Sequence, residues 1–69
     1  MYKNKFRYLM ADKNINSITQ IINDTGLSRT TINKLYHSKD IQTLSLGMLE
    51  TLCKYFDCNL SDLLEYVPD

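Results

Sequence analysis

Apolar residues recur at every third or fourth position in five separate segments, and this periodicity constrains the fold more than any other feature. Tyr2, Phe6, Leu9 and Met10 open the series, and the alkyl stem of Lys13 continues their stripe. Ile18, Ile21, Ile22 and Thr25 follow at the i, i+3, i+4, i+7 spacing of an amphipathic helix. Leu27, Ile32, Leu35 and Tyr36 form a shorter stripe, and Leu46, Leu49, Leu52, Cys53 and Phe56 a longer one. Leu60, Leu63, Leu64 and Val67 return to the spacing of the second stripe. No stretch alternates with a period of two for long enough to suggest a strand. The pattern predicts an all-α domain of five helices, over roughly 3–13, 17–25, 28–37, 45–56 and 60–66.

Capping residues stand where these stripes begin. Ser17 with Gln20 has the spacing of a capping box, and Asn59 with Asp62 repeats it, the acid also suiting the positive end of the helix dipole. Ser28 and Ser45 are placed to cap the third and fourth helices. Gly26 falls where the second stripe stops, the usual place for a left-handed residue. Ser38 to Leu44 lacks periodicity and reads as a loop.

A chain of 69 residues makes one domain, 1–69, with a marginal core and little room for a deep catalytic pocket. Its net charge is zero, but the charges are sorted. Lys3, Lys5, Arg7, Lys13, Arg29, Lys34 and Lys39 face only Asp12 and Asp24 in the stretch from Met1 to Lys39. From Asp40 onward Lys54 is the one base against Asp40, Glu50, Asp57, Asp62, Glu65 and Asp69. Either the basic half faces a polyanion, or the sorting arises by chance or serves pairing within the molecule. Cys53 and Cys58 match no common zinc spacing, so no metal is expected; Cys53 reads as core and Cys58 as a residue of the turn before the fifth helix. No carboxylate pair, Cys–His pair or phosphate loop suggests catalysis, so the chain reads as a non-enzyme without a cofactor. The N-terminus has no apolar leader, and no apolar run approaches the roughly 18 residues of a membrane span, so a cytoplasmic location is expected.

The most informative stretch runs from Ser17 to His37, SITQIINDTGLSRTTINKLYH. One helix ends at Gly26, the residues Gly26-Leu27-Ser28 turn the chain, and a second helix follows at once. That short glycine-containing turn is a helix-turn-helix signature. Leu27 plugs the corner, while Ile32 and Leu35 dock the second helix on the first. The opposite face then carries Arg29, Thr30, Asn33, Lys34 and His37, polar and without an acid. Arginine can grip guanine O6 and N7, asparagine adenine N6 and N7, and threonine a thymine methyl.

Three pieces, TGLSRTTINKL (Thr25 to Leu35), LETLCKYF (Leu49 to Phe56) and LSDLL (Leu60 to Leu64), give the chain a resemblance to a known family. Over nearly its whole length it resembles the Cro/CI-type (XRE-like) helix-turn-helix regulators of phages and bacteria. The resemblance implies a five-helix, lambda-repressor-like DNA-binding domain with the motif at helices 2 and 3. It implies that Arg29, Thr30, Asn33 and Lys34 face bases or nearby phosphates. It implies phosphate contacts from Ser28, from Thr43 and Ser45 at the entry to the fourth helix, and from Ser17, Thr19 and Gln20 at the start of the second. Lys39 is expected to meet phosphate, and His37 reads equally as a phosphate contact or a plain surface residue.

Four positions depart from the family pattern. Ile22 stands where alanine is usual, which should widen or shift the crossing of the two motif helices. Ile18 stands where a buttressing glutamine is frequent. Met10 and Tyr36 replace an arginine and an acid, so that an apolar contact should stand in for a buried ion pair.

The functional expectation is a sequence-specific transcriptional regulator. It binds double-stranded DNA as a homodimer on a pseudo-palindrome, with Leu63, Tyr66 and Val67 as dimer contacts and no small-molecule effector. A protein-interaction module of the same fold, antitoxin-like or an adaptor, is the alternative that overall neutrality and the acidic second half favour.

Overall fold

The computed structural model describes residues 1–68, so Asp69, one of the acids counted above, lies outside the described residues. Five helices follow one another: α1 Phe6–Asp12, α2 Ile18–Thr25, α3 Arg29–Tyr36, α4 Leu46–Phe56 and α5 Leu60–Leu63. A 3-10 turn, Ile41–Thr43, separates α3 from α4. The apolar stripes meet in one core, in which Phe6, Ile21, Ile32, Leu35, Leu52, Phe56 and Leu63 are fully buried. Phe6 of α1 and Phe56 of α4 meet edge to face with ring centroids 5.8 Å apart, a favoured geometry for an aromatic pair.

Both chain ends depart from the all-helical expectation. Residues Tyr2–Asn4 form a strand, β1, that pairs antiparallel with β2, Leu64–Tyr66, in the register Tyr2↔Tyr66, Lys3↔Glu65 and Asn4↔Leu64. The first helix therefore starts at Phe6 rather than near residue 3, and the fifth ends at Leu63 rather than 66. Leu64 is already extended (φ −149°, ψ 131°), so the last i+3, i+4 repeats are a helical turn running straight into a strand.

The late start of α1 has a local cause in Asn4. Its Oδ1 accepts from the Phe6 N–H at 2.9 Å, satisfying a donor of the first helical turn. Its Nδ2 donates to the Leu35 carbonyl at 2.6 Å and to Ser38 Oγ at 2.9 Å, closing the far end of α3. One half-buried amide thus ties β1, α1 and α3 together.

The remaining caps follow the sequence closely. Ser17, Ser28 and Ser45 each accept a backbone N–H at the start of α2, α3 and α4. Ser17 reaches Thr19 at 3.1 Å rather than Gln20, so a simple cap takes the place of the expected box. The Asn59–Asp62 box does form, Asp62 Oδ2 accepting from the Asn59 N–H at 3.1 Å. Gly26 ends α2 at φ 76°, a left-handed conformation that a Cβ would strain. Ser38 and Asp40 also take positive φ, of 54° and 52°, so two sharp turns shape the segment after α3 before Ile41 drops into the core.

Met10 is buried, but the neighbour that engages Tyr36 is Arg7, one turn earlier on α1. Its guanidinium carbon lies 4.2 Å from the Tyr36 ring centroid, and Nε donates to the Tyr36 carbonyl at 3.1 Å. A cation over an aromatic ring, with a hydrogen bond to a helix-terminal carbonyl, therefore joins α1 to α3 where a purely apolar contact was expected. Ile18 and Ile22 are half-buried against the core, where α2 crosses its neighbours.

Candidate nucleic-acid interface

Burial of Ile32 and Leu35 fixes the roll of α3, because residues three apart share one face of a helix. The opposite face carries Arg29, Thr30 and His37 exposed to solvent, with Asn33 and Lys34 half-exposed. Thr30, Asn33, Lys34 and His37 line one open groove together with Lys39 and Asp40. Five residues singled out from the sequence thus gather at a single surface.

The flanking hydroxyls reach this face directly. Arg29 Nη2 donates to Thr19 Oγ1 at 3.4 Å, a long, exposed bond from the start of α3 to the start of α2. Lys34 Nζ donates to Thr43 Oγ1 at 3.1 Å, and Thr43 Oγ1 donates on to the Asp40 carbonyl at 2.7 Å. Thr19 and Thr43 therefore bracket the row of α3 side chains, and neither cation is paired with a carboxylate in these contacts.

The serines are more committed. Ser28 Oγ accepts from the Thr31 N–H at 3.1 Å and donates to Thr31 Oγ1 at 2.8 Å, which occupies its hydroxyl proton. Ser17 and Ser45 use an oxygen lone pair for their caps, which still leaves the hydroxyl proton to offer an anion. Gln20 is exposed on the first turn of α2.

Most of the acids lie away from the groove. Asp12, Asp57 and Asp62 line a depression with Lys5 and Lys13 on the side of α1 and α5. Glu65 pairs with Lys5 at 3.2 Å, and Glu50 with Lys54 at 3.5 Å. Asp24 accepts from Tyr55 Oη at 2.7 Å, and this bond, with some burial, pushes the Tyr55 phenol up to about 12. Sorting by sequence thus becomes partial sorting in space, with Lys5 as an internal partner rather than a free cation.

Among the described residues Asp40 is the exception, and the sequence reading, which counted it with the acidic half, missed its place on the groove's edge. A carboxylate there opposes an approaching phosphate. Asp40→Asn should raise affinity for duplex DNA several-fold at low salt, since asparagine tolerates the φ of 52° and keeps the shape. Fluorescence anisotropy with the two proteins on one duplex measures this, and unchanged affinity would place Asp40 off the contact surface.

Of the three residues expected at a dimer contact, Leu63 is fully buried and has no surface to offer. Tyr66 (62% exposed) and Val67 do present surface. Tyr66 lines a largely apolar groove with Tyr2, Ile41, Leu44, Leu46, Leu60 and Leu64, where Leu46 is 74% exposed. No local pattern marks this patch, because Leu46 and Leu60 fit the same stripes as buried residues.

A short glycine-turned helix pair presenting a polar, acid-free helix on a small helical scaffold is the arrangement of a DNA-binding domain. The chain belongs to the Cro/C1-type HTH DNA-binding domain family, whose model matches residues 5–69. Among curated proteins and solved structures, none matches it significantly. Among the described residues no helix is long and apolar enough to cross a membrane.

Proposed function

We propose that the whole chain, 1–69, is a single domain acting as a sequence-specific transcriptional regulator. In this reading α2 and α3 form the helix-turn-helix, and α3 lies in the major groove of duplex DNA. Arg29, Thr30, Asn33 and Lys34 read base edges. Ser17, Thr19, Gln20, Ser28, His37, Lys39, Thr43 and Ser45 meet the phosphates on either side, Ser28 through its backbone, since its hydroxyl is engaged. The observation that carries the reading is the convergence of Thr30, Asn33, Lys34, His37 and Lys39 on one open groove. The thread of hydroxyls from Thr19 to Thr43 along the same face supports it. A bacterial or phage operator as the target sets the cytoplasm as the place of action.

The test is binding to a random duplex at two salt concentrations. On a random duplex Arg29 and Lys34 find no matching bases and meet phosphate as Lys39 does, so two bound protomers would release about six counterions and affinity should fall on the order of 10³-fold for a fourfold rise in salt. No binding at low salt would overturn the proposal.

A module this small makes a limited interface, so two copies on a pseudo-palindrome are expected. The apolar groove beside Tyr66 is the surface best suited to a second copy. Tyr2, Leu46, Leu60 and Tyr66 are large and exposed there, and among the described residues no charged side chain lines it to oppose self-association. Leu46→Glu should convert the dimer to monomer in sedimentation equilibrium while leaving the far-UV spectrum unchanged. A glutamate in the first turn of α4 suits the helix dipole, so the fold survives. A wild-type chain that stays monomeric at high concentration would instead give that surface to a different protein.

A further inference from the structure

Helix α4 ends at Asp57, whose backbone is left-handed (φ 55°, ψ 56°), and a thiol stands on either side of that turn. Cys53 lies in the last turn of α4, and Cys58 follows Asp57 directly. The Cys58 N–H donates to the Cys53 carbonyl at 3.0 Å. This is the outer bond of a Schellman ending, a motif that commonly brings the side chains near its two ends into contact. Bond lengths then limit how far apart the residues can be. Adding the N–Cα bond and the Cα-to-oxygen span to the hydrogen bond leaves the two Cα atoms at most about 7 Å apart. A bent path brings them within the roughly 4.4–6.8 Å that a disulfide spans.

Access and chemistry agree with that geometry. Both thiols are half-buried rather than sealed in the core, and both line an open cleft with Leu46, Glu50, Asn59 and Leu60. Burial pushes the Cys58 thiol up, and Cys53 beside it adds to the shift. Among the described residues no third cysteine, histidine or carboxylate completes a metal-binding group with them.

We propose that Cys53 and Cys58 are a redox-active dithiol that closes to an intramolecular disulfide on reaction with a small-molecule disulfide such as oxidised glutathione. Cys53, as its thiolate, attacks one sulfur of the reagent, whose S–S bond breaks and releases one thiolate. Cys58 then loses its proton to solvent and attacks the Cys53 sulfur of the mixed disulfide, expelling the second thiolate. The protein loses two electrons and two protons, and the reagent leaves as two thiols. Exchange begun by Cys58 and closed by Cys53 gives the same product. The new bond ties the first residue after the turn to α4, fixing where α5 begins.

The full chain, equilibrated in buffers of reduced and oxidised glutathione, is quenched in acid, alkylated and weighed by intact mass spectrometry. The expected product is a monomer lighter by two hydrogens that takes up no alkyl group. Its population should follow one two-electron transition with the glutathione ratio. Cys53→Ser and Cys58→Ser should each abolish that species and leave at most a glutathione adduct on the remaining thiol. Wild-type protein that accumulates glutathione adducts, forms disulfide-linked dimers or stays fully alkylatable throughout would overturn the proposal, and none of those readings depends on a variant folding.

Discussion

Phe56→Ala is expected to leave the chain largely unfolded or close to it. The ring is buried at the C-terminal end of α4, edge to face with Phe6 of α1 and with the Tyr55 ring centroid 5.3 Å away. Truncating a buried phenylalanine costs about 3–5 kcal/mol, the lost transfer energy plus the cavity left behind. A chain of this length has a total stability of roughly 3–10 kcal/mol. The single change therefore removes a large share of what holds the fold. A thermal melt followed by circular dichroism should show the midpoint lowered by about 15 °C or more. Tyr8→Ala is the matched control: its ring is 78% exposed, and the midpoint should barely move. A shift for Phe56→Ala no larger than that for Tyr8→Ala would show that the two phenylalanines do not anchor α1 to α4.

That expectation rests on apolar spacing, which was the most legible part of the chain. Of the buried members of α2, α3 and α4, Ile21, Ile32, Leu35, Leu49, Leu52 and Phe56 stand on the stripes seen in the sequence, and Met48 is buried off them. The starts of α2, α3 and α4 were legible because Ser17, Ser28 and Ser45 act locally, each on an amide two or three residues away. Gly26 was legible for the same reason. What the sequence concealed was long-range. The strand pair joins Tyr2 to Tyr66, and three residues on each side are too few to show a period of two. Asn4 accepts from the Phe6 N–H locally but also reaches Leu35 and Ser38 across the fold, and no local pattern marks that second role. Leu46 and Leu63 fall on equally good stripes, yet one is exposed and the other buried, because only the packing of whole helices decides which side of a stripe meets the core.

The candidate interface divides along the same line. Residues on α3 were read from one helix face, whose roll is set by Ile32 and Leu35. The contacts of Thr19 with Arg29 and of Thr43 with Lys34 come from separate elements, as does the approach of Asp40. Asp40 belongs by sequence to an acidic half whose other described carboxylates do not line the groove beside α3. Two positive-φ residues, Ser38 and Asp40 itself, turn the chain back and bring it there.

Arg29→Ala and Lys39→Ala should separate base reading from simple charge. Arg29 opens α3, is exposed, and is held only by a 3.4 Å bond to Thr19, so its guanidinium is free to reorient toward a base edge. If it grips a guanine through two hydrogen bonds, its removal costs about 1–3 kcal/mol on the selected site, roughly 5- to 150-fold in affinity. On random duplex only its share of the phosphate attraction is lost, a much smaller change. Lys39, past the end of α3 on the groove's edge, is a point charge with no fixed partner geometry. Its removal should weaken selected and random duplex alike and flatten the logarithmic salt dependence by about 0.9 for each phosphate it neutralises. Sites selected from random duplex pools and measured by anisotropy at several salt concentrations give both quantities at once. If the Arg29 variant lost equal ground on the two duplexes, this side chain would be a phosphate contact, and base recognition would pass to Thr30, Asn33 and Lys34 further along the helix.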